Sequence, residues 1–160
     1  MCVNRVTSVR SSQALDMNTT YPYTIDSGHG EFLTFKGLTQ EPDGVRIDIE
    51  GGANPVQVRR CMYIISRDEG VRVISGWLEH QVRGRAADRG PGDVVVCRGT
   101  PRTSGGMPAT TTCAASGWCK PPDNIGGFSR FLFASMKENG DGLALFDAAF
   151  LLTRYRTEFG

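Results

Sequence analysis

Glu69-Gly70-Val71-Arg72-Val73-Ile74-Ser75-Gly76, followed by Pro91-Gly92-Asp93-Val94-Val95-Val96 and then Gly99-Thr100-Pro101-Arg102, decides the fold. Each block sets a short β-branched run between glycine or proline, which is the pattern of a strand held between tight turns. Working outward, the chain keeps this rhythm from Tyr21 to about Trp118. Candidate strands are 32–35, 45–50, 56–65, 70–75, 77–83, 94–97 and 109–117. Turn signals fall at Pro42-Asp43-Gly44, Gly51-Gly52, Ser75-Gly76, Pro91-Gly92 and Ser104-Gly105-Gly106. Seven or more strands at this spacing predict a mainly β protein, a sandwich or a double-sheet jelly roll.

After Lys120-Pro121-Pro122 the period changes. Asp123 or Asn124 is placed to cap a helix carrying Ile125, Phe128, Phe131, Leu132, Ser135 and Met136 at helical spacing, and Asn139-Gly140 ends it. Gly126 and Gly127 weaken its first turn by about 1 kcal/mol each relative to alanine. A second helix is predicted from about 143 to 157. Its stretch 143–152 is apolar nearly all round, so it is either wedged between barrel and first helix or turned toward another subunit. The expected organisation is a disordered extension over 1–20, a β-barrel over 21–120 and a helical segment over 121–160 packed on it. Met17 is an alternative start to Met1.

A chain of 160 residues with net charge +1 suits one domain with a real core. Its basic residues are scattered among acids, which argues against a nucleic-acid partner. The five cysteines, Cys2, Cys61, Cys97, Cys113 and Cys119, are odd in number and contain no C-x-x-C, so free thiols in a reducing cytoplasm are expected. The first sixteen residues lack the apolar run of a secretory leader, and no run of about 18 apolar residues suggests a membrane span.

The two opening blocks resemble the motifs of the cupin superfamily, RmlC-like jelly rolls. The first motif ends in a Glu, six residues and a Gly, as Glu69 to Gly76 do. The second opens with Pro-Gly-Asp/Glu and closes with Gly-Thr-Pro-His, matched by Pro91-Gly92-Asp93 and Gly99-Thr100-Pro101 with Arg102 in the last place. The flanks Gly30-Glu31-Phe32-Leu33-Thr34-Phe35, Ser116-Gly117-Trp118 and 146–156 are similar to a subgroup of small single-domain bacterial cupins. The resemblance implies a jelly-roll barrel with two C-terminal helices. It also carries the family's metal-ligand positions onto Met62, Ile64, Glu69 and Arg102. Thioether suits only soft ions, an aliphatic chain offers no donor and a guanidinium repels a cation, so the usual metal site is expected to be absent and no cofactor is implied.

If Ser75-Gly76 closes a two-residue hairpin, Val73 faces Leu78, Val71 faces His80 and Glu69 faces Val82. The family's Glu points inward, so these side chains are expected inside, with His80 diagonal to Glu69. An interior carboxylate and imidazole find each other or Arg102, either as a satisfied structural pair or as a proton-transfer pair. Arg102 is expected as the partner of Glu69 or as a clamp for an anion, with Met62 and Ile64 filling the space left by histidines. Cys61 and Cys97 adjoin inner positions without an activating partner. His29 reads as a solvated loop residue. Trp77 and Trp118 read as packing residues, with Trp118 a candidate for a pocket mouth.

The functional expectation is a metal-free barrel binding a small apolar or anionic molecule through Arg102, Glu69, His80, Met62 and Ile64. The alternatives are a metal-independent isomerase or cyclase using His80 and Glu69 as catalytic residues, or a dioxygenase with atypical metal ligands. A homodimer in the cytoplasm is the expected state, because pairing relieves an exposed sheet edge.

Overall fold

In a computed structural model, residues 19–53, 62–64, 67–82, 85–98, 103–106, 112–140 and 145–154 are described, and among them ten strands and two helices form. The strands are β1 (Tyr23–Asp26), β2 (Glu31–Glu41), β3 (Gly44–Ala53), β4 (Met62–Ile64), β5 (Asp68–Ser75), β6 (Leu78–Val82), β7 (Arg85–Arg89), β8 (Val94–Cys97), β9 (Thr103–Gly106) and β10 (Cys113–Lys120). The helices are α1 (Ile125–Asn139) and α2 (Leu145–Arg154). Expectations for residues 1–18, for 56–61 and for Arg102 lie outside the described residues.

The strands form two antiparallel sheets, one in the order β1-β2-β3-β10-β5-β8 and one in the order β4-β9-β6-β7. This is a mainly β, double-sheet architecture consistent with a jelly roll. In the larger sheet, cross-strand partners run Ile47–Cys119–Glu69–Cys97 and Ile49–Gly117–Val71–Val95. Because directly opposed residues point to the same side, each row belongs to one face. That face is the buried one: Phe35, Ile47, Val73 and Cys113 are each no more than 1% exposed.

Two apolar clusters lie on it. Phe35, Ile47 and Cys119 pack with Ile125 and Phe128 of α1 and Leu151 of α2, while Val73 and Cys113 pack with Leu78 of the smaller sheet and with Val71. The helical segment therefore covers part of the inward face, and the second sheet packs on another part of it through Leu78. Helix α1 starts after Asn124, whose side chain makes no capping bond, and ends at Gly140 with φ of 73°. One of the two glycines that weaken its first turn has a packing reason: a Cβ on Gly126 would collide with the Tyr23 hydroxyl.

Several expectations fail for local reasons. Gly51-Gly52 and Ser104-Gly105-Gly106 read as turns but lie inside β3 and β9. Strand β7, Arg-Ala-Ala-Asp-Arg, has no aromatic or β-branched residue and is a strand through its pairing with β6. The hairpin expected across Ser75-Gly76 does not form. Strand β5 pairs with β10 and β8, and β6 pairs with β7 and β9, so Gly76 and Trp77 carry the chain from one sheet to the other.

Candidate functional site

The inward row on which Glu69 sits contains its only cross-strand neighbours on β8 and β10, Cys97 and Cys119. The Cys119 thiol donates to Glu69 Oε1 at 3.5 Å. Two residues earlier in the chain, Arg67 is 5% exposed and its Nη1 donates to the Pro122 carbonyl at 3.5 Å. Glu69 thus sits near the meeting point of the two clusters, because Cys119 belongs to the one that holds the helices and Val71 flanks the other.

Burial among these groups raises the Glu69 carboxyl to about 7 from its ordinary 4.5, and the Cys119 bond and the Arg67 charge offset only part of that rise. Burial likewise pushes the Cys119 thiol well above its usual range, and the Glu69 charge adds to the effect. The thiol is therefore a weak hydrogen-bond donor and no nucleophile at neutral pH. A carboxyl that titrates near neutrality in an apolar wall can donate a proton, accept one, or hydrogen-bond a ligand in either state.

Of the residues expected to line the site, Glu69 is placed on the inward face as anticipated. Val71, Val73 and Leu78 come together inside as well, although Val73 and Leu78 meet between sheets and not as hairpin partners. His80 is in β6, with Ala87 and Gly105 as its strand partners in place of Val71. Met62 and Ile64 are in β4, opposite Gly105 and Thr103. The side chains of His80, Met62 and Ile64 lie outside the described residues, as does all of Arg102.

Sequence reasoning missed Cys119 and Arg67 as neighbours of Glu69. Arg67 lies one residue before β5, outside the strand pattern, and Cys119 is placed by the long-range register of β10, so neither was legible from local sequence. His29 is also corrected: its Nε2 lies 3.2 Å from the Met136 carbonyl of α1, so it ties a loop to a helix. Trp77 is 51% exposed and packs with one side only, its ring lying over Gly90.

The donor set at the positions carried over for a metal does not fit a divalent ion, since Met62, Ile64 and Arg102 supply no imidazole and Glu69 is already engaged by a thiol. Among the described residues, no group of three or more His, Cys, Asp and Glu is placed to hold one. No described helix is long and apolar enough to cross a membrane.

No protein-family profile and no curated protein matches the chain. Solved structures do. An RmlC-like cupin from Shewanella frigidimarina aligns with a TM-score of 0.53 at 13% identity, covering 66% of this chain and 88% of that one. A sugar phosphate isomerase of the cupin superfamily from Silicibacter pomeroyi aligns with a TM-score of 0.50 at 15% identity, covering 62% of this chain and 71% of that one. Identities this low speak to architecture alone, and that architecture is the cupin jelly roll.

Proposed function

We propose that this chain is a metal-free cupin that binds a small apolar or anionic molecule inside the barrel, with Glu69 as the central polar contact. The observation that carries the reading is the placement of Glu69: a mostly buried carboxyl on the inward face, flanked by Val71, Cys97 and Cys119 and titrating near neutrality. A mainly apolar wall with one convergent polar group is the usual make-up of a small-molecule site. Arg102 and His80 are the further polar contacts of this reading, and Met62 and Ile64 its walls. A ligand carboxylate fits best while Glu69 keeps its proton, so that the two carboxyl groups share one hydrogen bond.

The test is a thermal-shift screen of the full chain against small carboxylic acids, phenols and alcohols, run at pH 6 and pH 8. Stabilisation by a subset of acids, stronger at pH 6 and lost in Glu69→Gln, is the expected result. A panel in which no compound raises the melting temperature at either pH overturns it.

The isomerase or cyclase alternative rests on His80 and Glu69 acting together. Their strands belong to different sheets, so that pair now depends on contact across the barrel. The homodimer is part of the same proposal, supported by the position of β8 at the end of the larger sheet, where its backbone edge is open to pairing with a second copy.

A further inference from the structure

The face of the larger sheet opposite Glu69 carries a depression of about 320 Å³, which lies outside the barrel. Two cross-strand rows build it. One runs Glu50–Ser116–Arg72–Val94 and the other Asp48–Trp118–Gly70–Val96. The small Ser116 between the longer Glu50 and Arg72 leaves a low point in the first row.

In the second row the Trp118 indole lies over Gly70. A Cβ at position 70 would come within 2.6 Å of the indole Cε2, so only glycine lets the ring settle against the sheet there. The result is an aromatic platform beside a polar hollow. Two cations, Lys36 and Arg72, and two anions, Asp48 and Glu50, line the hollow. Lys36 pairs with Glu50 at 3.2 Å, both about half exposed, and Asp48 accepts from Thr39 at 2.6 Å.

From this lining we infer that the outer groove is a binding site for a neutral saccharide. A pyranose ring has a C–H face that packs on an indole and a rim of hydroxyls that both donate and accept. Carboxylates and cationic groups set side by side serve such a rim. A charged ligand, in contrast, meets its own sign on one side of the hollow. The volume accommodates one or two sugar rings, and Ser116 adds a hydroxyl at the floor. Val94 extends the apolar surface past the platform.

Amide NMR spectra of the full chain, titrated with D-glucose and cellobiose and then with D-glucuronate and D-glucosamine, test this directly. The neutral sugars are expected to give saturable shifts at 48–50, 70–72 and 116–118. Trp118→Ala should weaken them about tenfold. Because that variant removes a ring packed on the sheet, Arg72→Gln, at an exposed position, provides the second probe and should weaken them about threefold with the spectrum otherwise unchanged. Four outcomes overturn the inference: no shifts at millimolar neutral sugar, shifts centred on residues of the inward face, binding of glucuronate or glucosamine more than tenfold tighter than glucose, or shifts of these same amides on raising protein concentration without sugar. The last would assign the face to a second copy of the chain.

Discussion

The two faces of the larger sheet are made from the same strands, one residue out of step, and they have opposite character. Inward, Glu69, Val71 and Val73 meet Cys97, Val95, Cys119 and Ala115 in an apolar wall holding one carboxyl. Outward, Arg72 and Gly70 meet Ser116, Trp118, Val94 and Val96, with Asp48 and Glu50 on the next strand. A carboxyl on the first face is driven toward its neutral form by lost hydration. On the second face, Glu50 sits beside Lys36 in water. Strand alternation therefore puts two carboxyls of the same sheet, Glu69 and Glu50, in different surroundings, one within an apolar wall and one in water.

The strongest way to break this contrast is to cut into the inward face. Phe35 is fully buried, stacks on Tyr23 with ring centroids 4.9 Å apart, and joins the cluster that seats both helices. Phe35→Ala should cost about 3–5 kcal/mol in denaturant unfolding. Val96→Ser, on the outward face and half exposed, should stay within about 0.5 kcal/mol. Equal losses from the two would mean that the outward face is buried in an assembly.

A smaller effect separates the two carboxyls by pH. Between pH 4.5 and about 7 the folded chain keeps a proton on Glu69 that the unfolded chain gives up. The unfolded state then binds fewer protons, so the stability contributed by protonated Glu69 is full below pH 4.5, declines as pH rises toward 7 and is lost above it. The decline attributable to Glu69 should be about 3 kcal/mol. Glu69→Gln should flatten this limb and make the protein more stable than the parent at pH 8, whereas Glu50→Gln should leave the limb in place. Urea midpoints across that range read both outcomes, and a difference between the parent and Glu69→Gln that does not fall from pH 4.5 to 7 contradicts the placement of Glu69.

Much of this was legible beforehand. Val94–Cys97 is a strand at its expected bounds, and the hydrophobic runs around residues 45–50 and 70–75 lie within β3 and β5. Inward placement of Glu69 followed from the resemblance, and Val71 and Val73 followed by alternation. What failed was pairing. A glycine after an apolar run signals a reversal without saying whether the next strand returns beside the first or crosses to another sheet, and Ser75-Gly76 does the second. Arg85–Arg89 and Thr103–Gly106 have no strand signal of their own, because their hydrogen bonds to β6 supply the stabilisation that side chains usually contribute. The same blindness to register hid Cys119 from Glu69 and put Trp118 beside Gly70 on a face that local sequence does not identify.

The smallest expected effect belongs to the ion pair at the margin of the outer groove. Lys36 and Glu50 are 46% and 48% exposed, so water screens their attraction and ordering two long side chains offsets part of it. Lys36→Met should change stability by less than about 0.5 kcal/mol at moderate salt, and the difference should shrink further as salt is added, over the range where the screening length falls below about 10 Å. A salt-independent loss above about 1 kcal/mol would place the pair in a region shielded from solvent. Lys36 and Glu50 line the same hollow as Trp118, so that result would say the outward face is covered in solution and would remove the contrast between the two faces of the sheet.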